Sequence, residues 1–180
     1  MWQPPAMMLN PQLFVLPHDE LRTVGAEALT YGSLTAKGLA TVAQTLRRFV
    51  QPHVIQGFDL GCGDGELIWH LQEALEGSAW SGVEISQQRV NLQTRDVTIW
   101  QGDMLEESLH GYNVLHADNL CLDDGVADLL ERKIANEFQG IYITYRRPEN
   151  MLFLKMAELL ASVETETTWS SCVLHFYRVY

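Results

Sequence analysis

The sequence predicts an α/β fold in which a mostly parallel sheet carries helices on both faces and ends in an antiparallel hairpin. Three observations support this prediction. Short apolar segments alternate with amphipathic helical segments from residue 51 onward, which is the pattern of a parallel sheet with crossover helices. Three glycines at alternate positions separate the first apolar segment from the helix that follows it. The last two segments are rich in β-branched and aromatic residues and alternate in polarity, as hairpin strands do.

The first 50 residues are predicted to precede the sheet. Residues 1 to about 17 are rich in Pro and Met, so we expect an extended or partly ordered arm. From residue 20 to residue 50 the pattern is mostly helical, with an interruption at 30–33. The helix predicted over 34–49 should pack on the sheet, because its apolar residues recur at helical spacing. Pro52 marks its end.

Strands and helices alternate through the rest of the chain. We predict strands over 54–60, 79–84, 97–101, 112–117 and 141–145, and helices over 66–76, 87–92, 123–138 and 149–162. The helix over 123–138 is the best defined, because its apolar residues form one stripe. A turn at Ser170-Ser171 separates two final strands, 163–169 and 173–180, which are predicted to pair as a hairpin. The sheet would thus have seven strands.

Length and composition predict one domain over residues 1–180, with an N-terminal arm and helices over 1–50 and a sheet core over 51–180. The longest apolar runs fall far short of the ~20 residues that span a bilayer, so no membrane association is expected. The start of the chain, Met1-Trp2-Gln3-Pro4-Pro5, does not resemble a signal peptide. We therefore expect a cytoplasmic protein, and nuclear entry of so small a chain is also open.

The chain is acidic, with a formal net charge of −11 and a pI near 4.8. Solubility alone accounts for such a charge in many proteins. The charge argues against direct nucleic-acid binding, which needs clustered Lys and Arg, and suits a basic, lysine-rich protein partner. The three cysteines, Cys62, Cys121 and Cys172, match no metal-ligand spacing and are expected to be reduced thiols. No metal site is predicted.

The glycine-rich turn is the most informative motif. The first core strand runs directly into Gly61, Gly63 and Gly65, and a helix begins immediately afterwards. Glycine allows a tight turn with positive φ and lets a ligand lie against bare main chain, while the helix supplies unpaired N–H groups. The second strand ends in Glu84, where a carboxylate can bind ribose hydroxyls. A Rossmann-like half-sheet holds a nucleoside in this way.

The details of the turn favour S-adenosyl-L-methionine over a dinucleotide. The dinucleotide fingerprint is G-x-G-x-x-G, whereas this chain has G-x-G-x-G with Asp59 before it and Asp64 inside it. Two carboxylates would repel a pyrophosphate but suit the ammonium group of a methionyl moiety. Gly102-Asp103-Met104 follows the third strand, and an acid there can accept a hydrogen bond from the adenine amino group. A dinucleotide and an ordinary α/β turn without a ligand are the alternatives.

The end of the fourth strand carries the residues that suggest a reaction. In such a sheet the reactive methyl group lies above the carboxyl end of strand four, beside the switch point, and this chain has Ala117-Asp118-Asn119-Leu120-Cys121-Leu122 there. This segment and the helix over 127–140 resemble the disruptor-of-telomeric-silencing (Dot-like) histone-lysine methyltransferases. Tyr31-Gly32 is similar to that family's Tyr-Gly-Glu loop, and residues 168–177 are similar to its tail. The resemblance extends from about residue 31 to the C-terminus.

The resemblance implies a class I methyltransferase fold, S-adenosyl-L-methionine as cofactor, and N-methylation of lysine on a basic protein. Asp118 replaces the first asparagine of the family's pair, Ser33 replaces the loop glutamate, and Leu120 and Leu122 replace aromatic residues. The basic nucleosome-binding extension of eukaryotic members is absent, which argues against a nucleosomal target. The cofactor-binding candidates are Asp59, Gly61, Cys62, Gly63, Asp64, Gly65, Glu84, Ile85, Gly102, Asp103, Met104, Asp118 and Asn119.

Four residues are candidates for the chemistry itself. A lysine amine must arrive neutral although its unperturbed pKa is near 10.4, so a largely apolar slot is expected. Tyr31 and Tyr145 are candidates for its walls, and Asp118 and Asn119 for orienting the amine. A structural role is open for all four, as helix caps for Asp118 and Asn119 and as core residues for the tyrosines. Methylation of a small molecule or of RNA, or a non-catalytic cofactor-binding module, are the alternative functions.

Overall fold

The computed structural model describes residues 10–15 and 33–180. Seven strands of this part of the chain form one sheet with the order β3-β2-β1-β4-β5-β7-β6. The strands are β1 (Gln56–Leu60), β2 (Ala79–Glu84), β3 (Thr98–Gln101), β4 (Val114–Ala117), β5 (Gly140–Thr144), β6 (Ala157–Glu166) and β7 (Ser171–Val179). The first five pair in parallel, and β7 lies antiparallel between β5 and β6. The predicted seven-stranded, mostly parallel sheet with a C-terminal antiparallel hairpin is confirmed.

Strand order places a crevice at the carboxyl edge of the sheet. Strand β1 pairs with β2 on one side and with β4 on the other, so the chain leaves the middle of the sheet in opposite directions after β1 and after β3. The loops that follow β1 and β4 therefore diverge, and a ligand site is expected between them. The predicted site residues that belong to the described ranges fall at this edge.

Within the described ranges, five α-helices connect and cover the strands: α1 (Ala36–Leu46), α2 (Glu66–Ala74), α3 (Gln87–Asn91), α4 (Asp124–Glu137) and α5 (Met151–Met156). Polar caps fix where several begin; Thr35 accepts a hydrogen bond from Gly38 at the start of α1, and Asp123 accepts one from Val126 at the start of α4. Such caps satisfy N–H groups that have no partner within the helix.

Two apolar cores lie on opposite faces of the sheet. Helices α1 and α2 pack on one face, with Leu39, Leu46 and Ile68 fully buried. Helices α4 and α5 pack on the other, with Leu130 and Phe153 fully buried. Because the central strands are covered on both sides, their residues are apolar on both faces. The exceptions are polar side chains near the carboxyl edge.

The helix predicted over 149–162 is wrong beyond Met156. Helix α5 ends there, and residues 157–166 form β6, with extended backbone from Ala157 onward. Ala, Glu and Leu at 157–160 favour helix, but this segment instead pairs with β7 along nearly its whole length. Hydrogen bonds to a distant strand outweigh local propensity here. The predicted hairpin is present, but its first strand begins six residues earlier than expected.

The N-terminal predictions are only partly testable. The first part of the helical pattern over 20–50, Tyr31 and Gly32 lie outside the described residues. Pro11–Phe14 form a 3₁₀ turn within the predicted arm, held to α3 by a hydrogen bond from Arg89 to the carbonyl of Leu13. Among residues 10–15 and 33–180, no helix is long and apolar enough to cross a membrane.

Candidate functional site

The glycine loop after β1 has the backbone geometry that its sequence predicts. Gly61, Gly63 and Gly65 have φ values of +86°, +58° and +81°, a region that favours glycine. A Cβ built on Gly61 would meet no atom within 4 Å, so the main chain there faces open space. By contrast, a Cβ on Gly65 would lie 2.7 Å from Val97. The main chain of the loop is therefore accessible at Gly61, whereas Gly65 is tightly packed.

Cys62 fills the space beneath the loop. Its side chain is 2% exposed, and a Cβ built on Gly82 of β2 would lie 2.5 Å from the Cys62 Cβ. Burial, with a smaller effect of Asp59, raises the pKa of this thiol well above its usual range. The residue is a packing group rather than a nucleophile, because nucleophilic cysteines need a lowered pKa.

Glu84 links the end of β2 to the glycine loop. Its Oε2 accepts a hydrogen bond from the Gly63 amide and its Oε1 accepts one from the Ser86 amide, both at 3.0 Å. Arg89 lies 3.7 Å from Oε1. Burial raises the pKa of Glu84, and Arg89 and the two amides oppose that shift. A carboxylate has about four acceptor positions, so Glu84 keeps capacity for hydroxyl donors.

The turn after β3 lies against the turn after β2. The Gly102 amide donates to the Glu84 carbonyl at 3.0 Å, and Gln101 donates to the Ile85 carbonyl at 3.1 Å. Asp103 Oδ1 closes its own turn by accepting from the Leu105 amide at 2.9 Å. Ile85 is 39% exposed, and Met104 is half-buried. A carboxylate and apolar surface thus stand at the ends of neighbouring strands, where the sequence predicts that the adenine binds.

Asp59 does not stand free at the end of β1. Its Oδ1 lies 2.7 Å from Nδ1 of His116 on β4, and Nε2 of His116 lies 2.9 Å from the hydroxyl of Tyr145 after β5. All three residues are at most 4% exposed. The carboxylate that the sequence assigned to a ligand ammonium group is engaged with a histidine. Asp64 is also engaged, because its Oδ1 accepts from the Glu66 amide at 3.2 Å.

Asn119 connects the end of β4 to the end of β5 through hydrogen bonds. Its Oδ1 accepts three hydrogen bonds, from the Thr144 hydroxyl at 3.0 Å and from the amides of Tyr145 and Arg146 at 3.1 and 3.0 Å. Arg146 in turn donates to the Leu122 carbonyl at 3.1 Å. The side-chain oxygen of Asn119 is therefore committed to the structure of the site, while its Nδ2 donates to no residue of the described ranges.

Asp118 lies next to Asn119 and is only partly buried. Burial raises the pKa of Asp118 to about 6, and the nearby His116 imidazole opposes that rise. Cys172 at the start of β7 is close enough for its own pKa to be raised to about 11, first by burial and then by Asp118. The carboxyl edge therefore brings together groups from β4, β5 and β7, and Asp118 is a carboxylate among them that is only partly buried.

Sequence reasoning missed two residues of the site. His116 was given no role, although a histidine within an apolar strand and in register with Asp59 is an unusual occupant of a sheet interior. Arg89 was also missed; it contacts both Glu84 and the carbonyl of Leu13. A cation near a buried carboxylate could have been anticipated, but nothing in the sequence indicates which one. Tyr31 lies outside the described residues.

Within the described ranges, no group of three or more His, Cys, Asp or Glu side chains is arranged to hold a metal ion.

Comparison with known proteins gives the fold its name. No protein-family model and no curated protein matches the sequence. Solved structures do match. Magnesium protoporphyrin IX methyltransferase from Synechocystis PCC 6803, with bound S-adenosylmethionine, is 16% identical with a TM-score of 0.60, over 78% of this chain and 77% of that one. A putative S-adenosylmethionine-dependent methyltransferase from Listeria monocytogenes is 13% identical with a TM-score of 0.57, over 81% and 99%.

A third similar structure is an RNA methyltransferase from Salinibacter ruber in complex with S-adenosyl-L-homocysteine. It is 16% identical with a TM-score of 0.57, over 79% of this chain and 91% of that one. These likenesses establish that the chain has the class I methyltransferase fold. The named substrates differ between the neighbours, and fold does not carry substrate.

Proposed function

We propose that this protein is an S-adenosyl-L-methionine-dependent methyltransferase. The observation that carries the proposal is the loop after β1, where Gly61 exposes bare main chain to open space and Glu84 holds the Gly63 amide. This loop lies at the switch point of a sheet whose last strand pair is antiparallel. The fold neighbours crystallised with S-adenosylmethionine or S-adenosyl-L-homocysteine support the same cofactor.

The residues present fit such a cofactor. Glu84 would accept hydrogen bonds from the ribose hydroxyls, and Ile85 and Asp103 would contact the adenine. Gly61 would leave room for the rest of the cofactor, which a larger side chain would fill. When bound, the cofactor supplies an electrophilic methyl group. The protein must bind, orient and deprotonate the group that receives it.

The methyl-accepting group in this proposal is an amine. Asp118 has a pKa of about 6 and is therefore mostly ionised near neutral pH, so it can bind and orient a cationic amine. The same carboxylate also raises the pKa of that amine and so opposes its deprotonation. The site therefore needs a separate group that takes the proton.

The finer proposal is that the amine is a lysine side chain of a basic protein. It rests on the resemblance of the strand-four segment to the Dot-like enzymes and on the net charge of −11. The neighbours named above give it no support, because two of their names specify a porphyrin and RNA and the third specifies no substrate. Methylation of a small molecule or RNA is thus the second candidate, and the negative net charge argues against RNA.

Calorimetry is the first experiment. We expect S-adenosyl-L-homocysteine to bind the purified protein selectively, with no comparable binding of ATP or NAD. Gly61→Val provides the matched test: its side chain would occupy the open space at the loop and would also strain a backbone with a φ of +86°, so it should abolish binding in a protein that still folds. Absence of binding to the wild type, or preference for a dinucleotide, would refute the proposed function.

Substrate class requires a second experiment. The protein is incubated with methyl-labelled cofactor and, separately, lysine-rich proteins, RNA and a small-molecule extract, and the products are identified by mass spectrometry. Label on lysine would support the finer proposal. Label only on RNA or small molecules would refute the lysine acceptor and keep the methyltransferase. Cofactor binding without any turnover would instead favour a non-catalytic module, in which Asp118→Asn could restore activity.

A further inference from the structure

We propose that residues 10–15 are part of the cofactor site, because Leu13 docks on Arg89 and Arg89 orients the carboxylate of Glu84 that would bind the ribose. Docking of this segment and binding of the cofactor then strengthen each other. The inference rests on the proposed function and adds to it a coupling across the 76 positions that separate Leu13 from Arg89. Leu13 and Arg89 are positioning residues, since both act through Glu84.

Leu13 is the anchor of the segment. Its side chain is fully buried, whereas the other residues from Pro11 to Val15 are exposed. These residues follow a 3₁₀ turn that Asn10 caps by accepting a hydrogen bond from the Gln12 amide at 3.0 Å. The shape of the segment is thus fixed by hydrogen bonds within the turn, and a single apolar side chain docks it on the domain.

Two side chains of α3 hold the backbone of this turn. Arg89 Nε donates to the Leu13 carbonyl at 2.8 Å, and Gln88 Nε2 donates to the Val15 carbonyl at 2.5 Å. Arg89 is 4% exposed. A buried cation needs partners within the protein, because burial without them is costly. The Leu13 carbonyl supplies one such partner and so restrains the position of the guanidinium.

The guanidinium also lies beside Glu84. Arg89 Nη1 is 3.7 Å from Glu84 Oε1, and both side chains are at most 5% exposed. Salt and water screen charges little at this depth. Burial raises the pKa of Glu84, and Arg89 is the largest influence that opposes this shift. Arg89 therefore helps to keep Glu84 ionised, and an ionised carboxylate accepts hydrogen bonds with both oxygens, as binding of two ribose hydroxyls requires.

The chain of contacts predicts a coupling in both directions. Without the Leu13 carbonyl, the guanidinium of Arg89 would be less restrained, and the carboxylate of Glu84 would be less well oriented for the ribose. Conversely, a ribose bound to Glu84 would restrain the carboxylate, the guanidinium and hence the segment. Any coupling between two binding events must be reciprocal in this way.

Calorimetry with S-adenosyl-L-homocysteine tests the first direction. Leu13→Ala removes the anchor, and Val15→Ala is the matched control because that side chain is 64% exposed in the same segment. We expect Leu13→Ala to raise Kd by about tenfold, a common size for coupling between sites. Val15→Ala should leave Kd within about twofold of the wild type, as exposed substitutions do. An unchanged Kd in Leu13→Ala that circular dichroism shows to be folded would overturn the proposal.

Arg89→Lys separates an effect that acts through Arg89 from a general loss of packing. Lysine keeps the charge but lacks the planar array of donors that reaches a carbonyl and a carboxylate together. In the Arg89→Lys background, Leu13→Ala should raise Kd by less than about twofold, because substitutions within one network are not additive. The same increase in Kd in both backgrounds would overturn the proposal.

Hydrogen exchange of the wild type tests the reverse direction without any variant. The Leu13 and Val15 amides donate to the carbonyls of Asn10 and Gln12, so their exchange rates report on the turn. We expect saturating S-adenosyl-L-homocysteine to slow both amides by about fivefold or more. Unchanged exchange in protein that calorimetry shows to be liganded would overturn this proposal and leave the proposed function intact. A wild type that binds no S-adenosyl-L-homocysteine would refute the proposed function and this inference with it.

Discussion

Ionised Asp118 lowers the free energy of unfolding, and this effect can be measured. Its pKa is raised by burial to about 6, whereas an unfolded chain has an ordinary aspartate near 3.9. The folded state therefore binds more protons between these values, and stability falls as pH rises through this range. Above about pH 6, the full loss of stability caused by ionised Asp118 is present. Keeping an ionised group there is consistent with a role in binding a cation.

We therefore expect Asp118→Asn to raise the free energy of unfolding at pH 8 by up to about 3 kcal/mol, given about 1.4 kcal/mol per pKa unit. At pH 4 the difference should nearly vanish, because Asp118 is then protonated in the folded protein. Urea unfolding at both pH values measures this. Asp96→Asn, at an exposed position, is the control and should change little. An Asp118→Asn variant that is less stable at pH 8 would contradict the expectation.

Glu84 has two roles that one substitution would remove together. It holds the amides of Gly63 and Ser86, and in the proposed function it also binds the ribose. Glu84→Ala should weaken the binding of S-adenosyl-L-homocysteine by about 2 kcal/mol or more, because hydrogen bonds to a charged group contribute ~1.5–3 kcal/mol. Calorimetry measures the affinity and circular dichroism confirms folding. Unchanged affinity in a folded variant would exclude Glu84 from the cofactor site.

Helix α5 is short, and its start depends on a side chain from another helix. Glu131 of α4 is 2% exposed, and its Oε2 accepts hydrogen bonds from the amides of Glu149 and Asn150 at 2.8 and 2.6 Å. Asn150 then caps α5 by accepting from Leu152 and Phe153. A six-residue helix cannot be stable alone, so this capping network and the packing of Phe153 hold it.

Glu131→Ala should accordingly destabilise the protein by about 2–3 kcal/mol, because the part-buried Glu149 amide and the buried Asn150 amide lose a charged partner. Urea unfolding gives the free energy, and hydrogen exchange should show faster exchange in α5 than elsewhere. Glu137→Ala on the same helix removes only an ion pair with Lys133 near the surface and should cost less than about 0.5 kcal/mol. Equal losses in the two variants would argue against the capping role.

The three cysteines differ in how deeply they are buried. Cys121 is exposed, Cys172 is partly buried, and Cys62 is buried beneath the glycine loop. Only the thiolate reacts, and burial raises the pKa of Cys172 to about 11 and that of Cys62 well above its usual range. In Cys172 and Cys62, burial and a raised pKa therefore both slow the reaction of the thiol.

At pH 8 we expect a thiol reagent to label Cys121 rapidly, Cys172 slowly, and Cys62 only as the whole protein unfolds. Mass spectrometry of the labelled peptides follows each site, and added urea should accelerate the labelling of Cys62 in parallel with global unfolding. The Cys121→Ser variant should lose the fast phase alone. Labelling of Cys62 as fast as that of Cys121 would show that the glycine loop opens without unfolding.

The overall architecture was readable from periodicity and from glycine. Alternating apolar segments and helical stripes predicted the seven-stranded sheet, because parallel strands buried on both faces leave a strong local pattern. The loop at Gly61, Gly63 and Gly65 was equally plain, since positive φ restricts the choice of residue. The position of Glu84 at the end of β2 follows from the order of the elements alone. None of these features depends on residues that are distant in sequence.

The remaining features depend on contacts between distant segments. Residues 157–162 favour helix locally, yet they pair with β7, whose contribution no local window contains. His116 has a role only because β1 and β5 bring Asp59 and Tyr145 to either side of it. In the same way, Asn119 accepts hydrogen bonds from the Tyr145 and Arg146 amides because β4 lies beside β5. The sequence could indicate a cofactor loop, whereas the polar network beside it required the register of three strands, because hydrogen-bond partners are chosen by distance in space.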